Sequence, residues 1–209
     1  MKKILILVGP QGSGNHMWSK IFALHPLIYG WQDLVDEFWI GHDREPFAEC
    51  WADIEQLDNF DWNQSDYYVT SMSIPYMNNG VPTIPTVYQF GIKLQAQGFD
   101  VQIAVIGRDR NILEHQETRV RGQPTYQQAI DTIQNLSGFK TVFLSYELLQ
   151  LYREQYLEQI ELDLAWPMAL DDPRLKEIIE TDSNSKYFQK IDHHWVDDLA
   201  KKTSAKWHD

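Results

Sequence analysis

Residues 4–26 read ILILVGPQGSGNHMWSKIFALHP and carry three structural signals in succession. Ile4–Val8 is a continuous apolar run, which is typical of a strand buried on both faces of a parallel sheet. The next six residues, 9–14, include three glycines. His16–Leu24 has the apolar spacing of a helix, and Pro26 ends it. The sequence therefore predicts a strand, a glycine-rich loop and a helix in direct order.

A loop of this kind suits an anion. A glycine-rich turn before a helix exposes backbone N–H groups at the positive end of the helix, where phosphate or sulfate binds. Gly9 and Gly14 have the spacing of the Walker A pattern, G-x-x-x-x-G-K-S/T. Asn15 stands in place of its lysine and His16 in place of its serine or threonine. We therefore expect an anion cradle that lacks the groups required for ATP hydrolysis.

Four segments together resemble one family. Ser13–His16, after a strand and Gly-Pro, looks like the 5′-phosphosulfate loop of the PAPS-dependent sulfotransferases. The segments IFALHPLIYGW (21–31), QIAVIGRD (102–109) and TVFLSYELL (141–149) are similar to later family segments and occur in the same order. The pattern is closest to the carbohydrate, tyrosyl-protein and bacterial or phage-type branches. The matches cover residues 4–149.

The resemblance implies an activity and a cofactor site. It implies transfer of a sulfuryl group from 3′-phosphoadenosine 5′-phosphosulfate (PAPS) to a hydroxyl or amine on a small molecule, a glycan or a peptide. Arg108 would bind the 3′-phosphate, and Gln116 occupies the position of a family serine that shares this task. The implied residues for PAPS, or for its product adenosine 3′,5′-bisphosphate, are Gln11, Gly12, Ser13, Gly14, Asn15, His16, Arg108 and Gln116.

The chain departs from the family in the loop cation. The family has lysine or arginine where this chain has Gln11 or Gly12. Because guanidinium groups pair well with phosphate, a nearby arginine could replace that cation. The candidates are Arg110, Arg119 and Arg121.

The chain also departs from the family at the general base. The histidine that precedes Leu-Pro in the cytosolic branch has no counterpart in the similar stretch Ser71–Pro75. Two groups could accept the acceptor's proton. His16 lies at the start of the first helix, and Asp33 follows the His-Pro segment, near where related enzymes carry a catalytic glutamate.

The remaining pattern predicts an α/β fold. Strands are expected at Tyr67–Met72, Val101–Ile106 and Thr141–Leu144, and helices alternate with them. The predicted helices are Thr86–Gln97, Asn111–Arg121, Thr125–Leu136 opened by Pro124, Glu147–Leu162 and Asp172–Glu180. We expect three layers around a mostly parallel central sheet, with P-loop NTPase-like (sulfotransferase-like) topology.

The domain organisation follows from length and composition. The 209 residues predict one domain, 1–209. The aromatic and acidic segment 31–66 is expected to form a lid or insertion, in which Pro46 could open a short helix. Residues 183–209 are expected to form a polar C-terminal tail.

Composition excludes several classes of function. With 18 Lys and Arg against 30 Asp and Glu, the net charge is −12, which disfavours nucleic-acid binding. The single cysteine, Cys50, excludes an intrachain disulfide and multi-cysteine zinc sites. His42 with Glu45 and His194 with Asp197 lack a third ligand at a defined spacing, so no metal is expected. No run of 18 apolar residues occurs, and we expect a cytoplasmic protein without a membrane span.

Two other functions remain open at this point. A nucleoside or nucleotide kinase would use the same loop, although Asn15 and His16 argue against it. A binding or interaction protein that kept the fold and lost catalysis would explain the missing loop cation. Dependence on Mg²⁺ would distinguish a kinase from a sulfotransferase. Cofactor binding without turnover would identify a binding protein that has lost catalysis.

Overall fold

The computed structural model describes residues 1–78, 80–122 and 125–181, without the side chains of 119–121. The predicted tail 183–209, Pro124 and the His194–Asp197 pair lie outside the described residues. Within the described part of the chain, no helix is long and apolar enough to cross a membrane.

The sheet is built around β1 (Lys3–Pro10), of which only the first residue is not fully buried. β3 (Tyr67–Ile74) and β6 (Asp100–Gly107) pair with its two edges in parallel. β2 (Ile28–Tyr29) pairs with β3, and β7 (Lys140–Ser145) pairs with β6, also in parallel. The strand order is therefore β2-β3-β1-β6-β7. β1, β3 and β6 are buried along almost their whole length because both faces of these strands are covered.

Helices cover both faces of this sheet. One face packs against α2 (Ala48–Ala52), α3 (Val87–Ala96) and α5 (Tyr126–Gln134). The other packs against α1 (Asn15–Ala23), α6 (Tyr146–Leu164) and α7 (Pro173–Glu180). α4 (Arg110–Arg121) connects β6 to α5. The predicted three-layer α/β fold with a parallel central sheet is confirmed.

The predicted elements agree with the observed ones to within a few residues, and the elements that were not predicted are short strands and short 3₁₀ helices. β2 was not predicted, and neither was the hairpin of β4 (Tyr76–Asn78) and β5 (Val81–Thr83). Elements of two or three residues are too short to show a hydrophobic period. The short strands exist because a neighbouring strand supplies hydrogen-bond partners.

Segment 31–66 divides into two parts. Phe47, Trp51 and Leu57 are fully buried and pack with β1 and β3 in the core. Residues 35–43 instead lie along a cavity at the carboxyl ends of the strands. Most of the aromatic residues in the predicted lid are therefore core residues, and only this second part faces the cavity.

Glu45 connects this segment to the sheet. Its carboxyl oxygens accept the Phe47 N–H at 2.7 Å and the Ser71 N–H at 3.2 Å, and the residue is only 4% exposed. β2 pairs with β3 only at Tyr67 and Tyr68, so Glu45 satisfies an N–H on the edge of β3 that β2 does not reach. Burial raises the pKa of Glu45 to about 8, although the hydrogen bonds it accepts oppose this rise.

This burial predicts a pH dependence of folding stability. Glu45 keeps its proton in the folded state up to pH values near 8, whereas in the unfolded chain it loses the proton near its ordinary value of 4.5. Between these values the unfolded state binds fewer protons, so the free energy of unfolding should fall as pH rises across that window. Urea denaturation of wild type and Glu45→Gln should show a smaller decline in the variant. Glu49→Gln, at an exposed position on α2, is the control, and equal declines in all three proteins would contradict the assignment.

Candidate functional site

The loop between β1 and α1 has the backbone of an anion cradle. The Ser13 N–H donates to the Pro10 carbonyl at 3.1 Å, which closes the turn. Gly12 and Gly14 have φ values of +85° and +111°, a region that side chains with a Cβ rarely adopt. Gly14 is the N-cap of α1, and no side chain caps the helix there. The first N–H groups of α1 therefore remain available to a ligand at the positive end of the helix.

Two buried side chains in the loop point to a polar ligand. Ser13 is fully buried, and its hydroxyl has no hydrogen-bond partner among the described residues. Asn15 is 4% exposed, and neither its amide nitrogen nor its amide oxygen has a partner there. Buried polar groups are nearly always hydrogen-bonded in folded proteins, so the Asn15 amide nitrogen, a donor on a residue that lines the cavity, is suited to a phosphate or sulfate oxygen. The loop residues thus fit the 5′-phosphosulfate end of PAPS.

Arg108 lies at the rim of the loop. It follows directly after β6, and one of its Nη atoms donates to the Gly12 carbonyl at 2.5 Å. Its guanidinium lies 4.3 Å from the centre of the Tyr146 ring, a cation–π distance. Asp109, the next residue, accepts the Asn111 and Ile112 N–H groups as the N-cap of α4. The cation therefore faces the loop, and the neighbouring carboxylate is engaged at the helix start.

Gln116 reaches the same point from α4. A Cβ built on Gly12 would lie 2.4 Å from the Gln116 Oε1 atom, so this amide lies directly over the glycine. Gln116 and Arg108 both line the cavity. The two residues that the family resemblance assigns to the 3′-phosphate thus converge on Gly12.

The cavity holds about 720 Å³ and extends from the loop toward residues 35–43. The loop end carries Asn15, Arg108 and Gln116. The far end carries exposed aromatic and acidic side chains on residues 36–43, and α7 closes one side. The far-end residues are Asp36, Glu37, Phe38, Trp39 and Asp43, and Tyr76 and Arg174 also line the cavity.

His16 occupies the junction of the two ends. Its Nε2 lies 2.7 Å from the Ile40 carbonyl oxygen, which can only accept, so Nε2 carries the proton and Nδ1 is unprotonated in the neutral ring. The ring packs against those of Trp31, Trp39 and His42 at centroid distances of 5.1, 6.2 and 4.6 Å. Burial lowers the pKa of His16 below its ordinary value, and Lys20 adds to this effect while the Ile40 hydrogen bond opposes it. His16 is therefore neutral at neutral pH.

Some predicted residues do not join this group. Asp33 is exposed on a short 3₁₀ helix, Gln32–Leu34, and does not line the cavity. Arg110 is exposed and pairs with Glu114 at 2.6 Å, also away from the cavity. The side chains of Arg119 and Arg121 lie outside the described atoms. Among the described residues, no group of three or more His, Cys, Asp or Glu side chains is placed to hold a metal.

Other cavity residues were missed by sequence reasoning. Tyr76, Tyr146 and Arg174 come from three separate parts of the chain, and nothing local in the sequence associates them with the loop. Lys20 was detectable, because it follows His16 by four residues and so lies on the same face of α1.

Comparison with known proteins identifies fold neighbours at low identity. No protein-family model matches the chain, and no curated protein matches it. The mouse sulfotransferase SULT7A1 complexed with PAP is similar over 90% of this chain and 66% of its own, with a TM-score of 0.46 and 12% identity. A retinol dehydratase in complex with androsterone and inactive cofactor PAP is similar over 85% of this chain and 63% of its own, with a TM-score of 0.39 and 12% identity. The chain thus spans a little under two thirds of the length of these structures.

Proposed function

We propose that this protein binds PAPS and transfers its sulfuryl group to a hydroxyl or amine acceptor. The observation that carries the proposal is the convergence of Arg108 and Gln116 on Gly12, in a loop whose backbone and buried polar side chains suit an anion. Of these residues, Arg108 lies in a segment that resembles the sulfotransferases, as does Asn15 of the loop.

Each part of the site has a defined task in this proposal. The N–H groups at the start of α1 and the Asn15 amide nitrogen bind the 5′ end of the cofactor. Arg108 and Gln116 bind the 3′-phosphate, the former by charge-assisted hydrogen bonds. When bound, PAPS supplies an activated sulfuryl group. Fixed donors at the loop hold charge without having to reorganise during the reaction.

His16 is the base that we assign to the acceptor. Its Nε2–H is held by the Ile40 carbonyl, which fixes the ring orientation and leaves Nδ1 to accept a proton. The lowered pKa keeps the ring in the form that can accept. Asp33 is not assigned this role, because it does not line the cavity.

The far end of the cavity favours an acceptor that is not anionic. Phe38 and Trp39 are 89% and 65% exposed and offer ring faces for an apolar body. Asp36, Glu37 and Asp43 lie at the same end. Arg174 pairs with Asp36, and the negative charge of Glu37 and Asp43 disfavours a sulfated or carboxylated acceptor and favours an uncharged or cationic one.

The first test is a thermal-shift titration with adenosine 3′,5′-bisphosphate beside ATP with and without Mg²⁺. A ligand at ~100 times its dissociation constant stabilises a protein by about 2.7 kcal/mol. For a domain of this size, that corresponds to a rise of roughly 5–10 °C in Tm. We expect this rise with the bisphosphate and without metal.

The other outcomes separate the alternatives. A rise only with ATP and Mg²⁺ would replace the proposal with a kinase, in spite of Asn15 and His16 at the lysine and hydroxyl positions. A rise with the bisphosphate but no turnover of PAPS over a broad panel of acceptors would favour a nucleotide-binding protein that has lost catalysis. No rise with any ligand would overturn cofactor binding.

A further inference from the structure

The loop lacks its own cation, and the cavity offers few substitutes. Among the described residues that line it, the permanently charged basic groups are Lys20, Arg108 and Arg174. Arg174 pairs with Asp172 at 2.7 Å and with Asp36 at 3.7 Å, which ties α7 to the far end. Arg108 is engaged with the Gly12 carbonyl and the Tyr146 ring.

Lys20 has a position and a bonding state that suit an anion. It lies one turn after His16 on α1, and helical side chains lean toward the helix N-terminus, which here is the loop. Its ammonium donates to the Glu37 backbone carbonyl at 2.5 Å. That bond uses one of three N–H donors on a neutral acceptor, and no described carboxylate lies within ion-pair distance of this ammonium.

Burial and the charges around Lys20 also favour a bound anion. Partial burial lowers the pKa of Lys20 below its ordinary value, and Asp36 and Glu37 only partly compensate. Lys20 in turn contributes to the lowered pKa of His16, so the two groups influence each other across one helical turn. A bound anion between them would restore the solvation that the ammonium loses in the cavity.

We propose that Lys20, from the second turn of α1, replaces the missing loop cation and binds the sulfuryl group of PAPS. This inference rests on the proposed function. It assigns to the helix a task that the resemblance places in the loop, and it explains how Gln11 and Gly12 can stand where a cation is expected. The arginines considered from sequence are not needed for this task.

The test compares two ligands that differ by the sulfuryl group. Affinities for PAPS and for adenosine 3′,5′-bisphosphate are measured by titration calorimetry on wild type, Lys20→Met, Lys20→Arg and Lys140→Met. Lys140 is exposed at the start of β7, the end of the sheet opposite the loop, and serves as the matched control. We expect Lys20→Met to weaken PAPS binding by roughly tenfold or more, as for a lost hydrogen bond to a charged group, with little change for the bisphosphate. Lys20→Arg should keep most of the PAPS affinity.

The ratio of the PAPS affinity to the bisphosphate affinity distinguishes anion binding by Lys20 from a purely structural role. If Lys20 served only to hold the Glu37 carbonyl, both ligands would weaken together or neither would change, and either result would overturn the inference while leaving the proposed function intact. If the wild-type protein bound neither ligand, the proposed function would fail and this inference with it. Circular dichroism of each variant verifies that it is folded.

Discussion

Replacing Arg108 with alanine is expected to weaken adenosine 3′,5′-bisphosphate binding by roughly 10- to 150-fold. Hydrogen bonds to charged groups contribute about 1.5–3 kcal/mol, and about 1.4 kcal/mol corresponds to a factor of ten in affinity. Adenosine 5′-phosphate, which lacks the 3′-phosphate, should lose much less. Titration calorimetry with the two ligands measures this difference directly.

Arg110→Ala is the matched control for this substitution. Arg110 lies two residues away, is exposed and pairs with Glu114 rather than lining the cavity. It should bind both ligands as wild type does. Because Arg108 also holds the Gly12 carbonyl, its loss could disturb the loop itself. Equal weakening of both ligands would indicate that disturbance and would contradict the assignment of Arg108 to the 3′-phosphate.

Replacing Gly14 with valine is expected to abolish bisphosphate binding while the protein still folds. At φ +111° a β-branched residue is strongly disfavoured, so the backbone must rotate. This rotation would redirect the N–H groups at the start of α1, on which anion binding depends. The surrounding space is not the obstacle, since the atom nearest to an added Cβ is a Tyr146 ring carbon at 3.4 Å. Thermal shift with the bisphosphate and far-ultraviolet circular dichroism measure the two effects separately.

Gly98→Val is the control that separates the loss of ligand binding at the loop from a general loss of stability caused by backbone strain. Gly98 has a φ of +89° after α3, and nothing lies within 4 Å of an added Cβ there. Both variants should lose stability by about 1–3 kcal/mol from the strained backbone. Only Gly14→Val should also lose the ligand-induced rise in Tm. A normal rise in Gly14→Val would mean that the loop is only a turn.

The site residues that could be predicted lie in short, continuous stretches of the sequence. The loop from Gly9 to His16 was predicted because a buried apolar run, a cluster of glycines and a helical period occur side by side. The family resemblance assigned Arg108 to the 3′-phosphate, and in the structure this residue lies at the loop, where it donates to the Gly12 carbonyl. The carboxyl ends of parallel strands meet at one edge of the sheet, so a residue after β6 must lie near the residues after β1.

The position of Asp33 shows where such reasoning stops. The resemblance suggested it as a base, because related enzymes carry a catalytic glutamate near this position after the His-Pro segment. In the structure it lies on a short 3₁₀ helix with its side chain in solvent. Sequence separation limits how far a residue can be from the site, but it does not fix which way a side chain points.

Local patterns were sufficient for the strands, the principal helices and the anion cradle, because these depend on φ, on glycine and on the hydrophobic period of neighbouring residues. Tertiary packing decided the rest. It brought Gln116 over Gly12, seated Glu45 on the edge of β3, buried Phe47 and Trp51 in the core and placed the Lys20 ammonium beside the Glu37 carbonyl. Each of these contacts joins segments that are distant from each other in the sequence. Their geometry is set by how helices and loops pack on the sheet, and no local pattern records it.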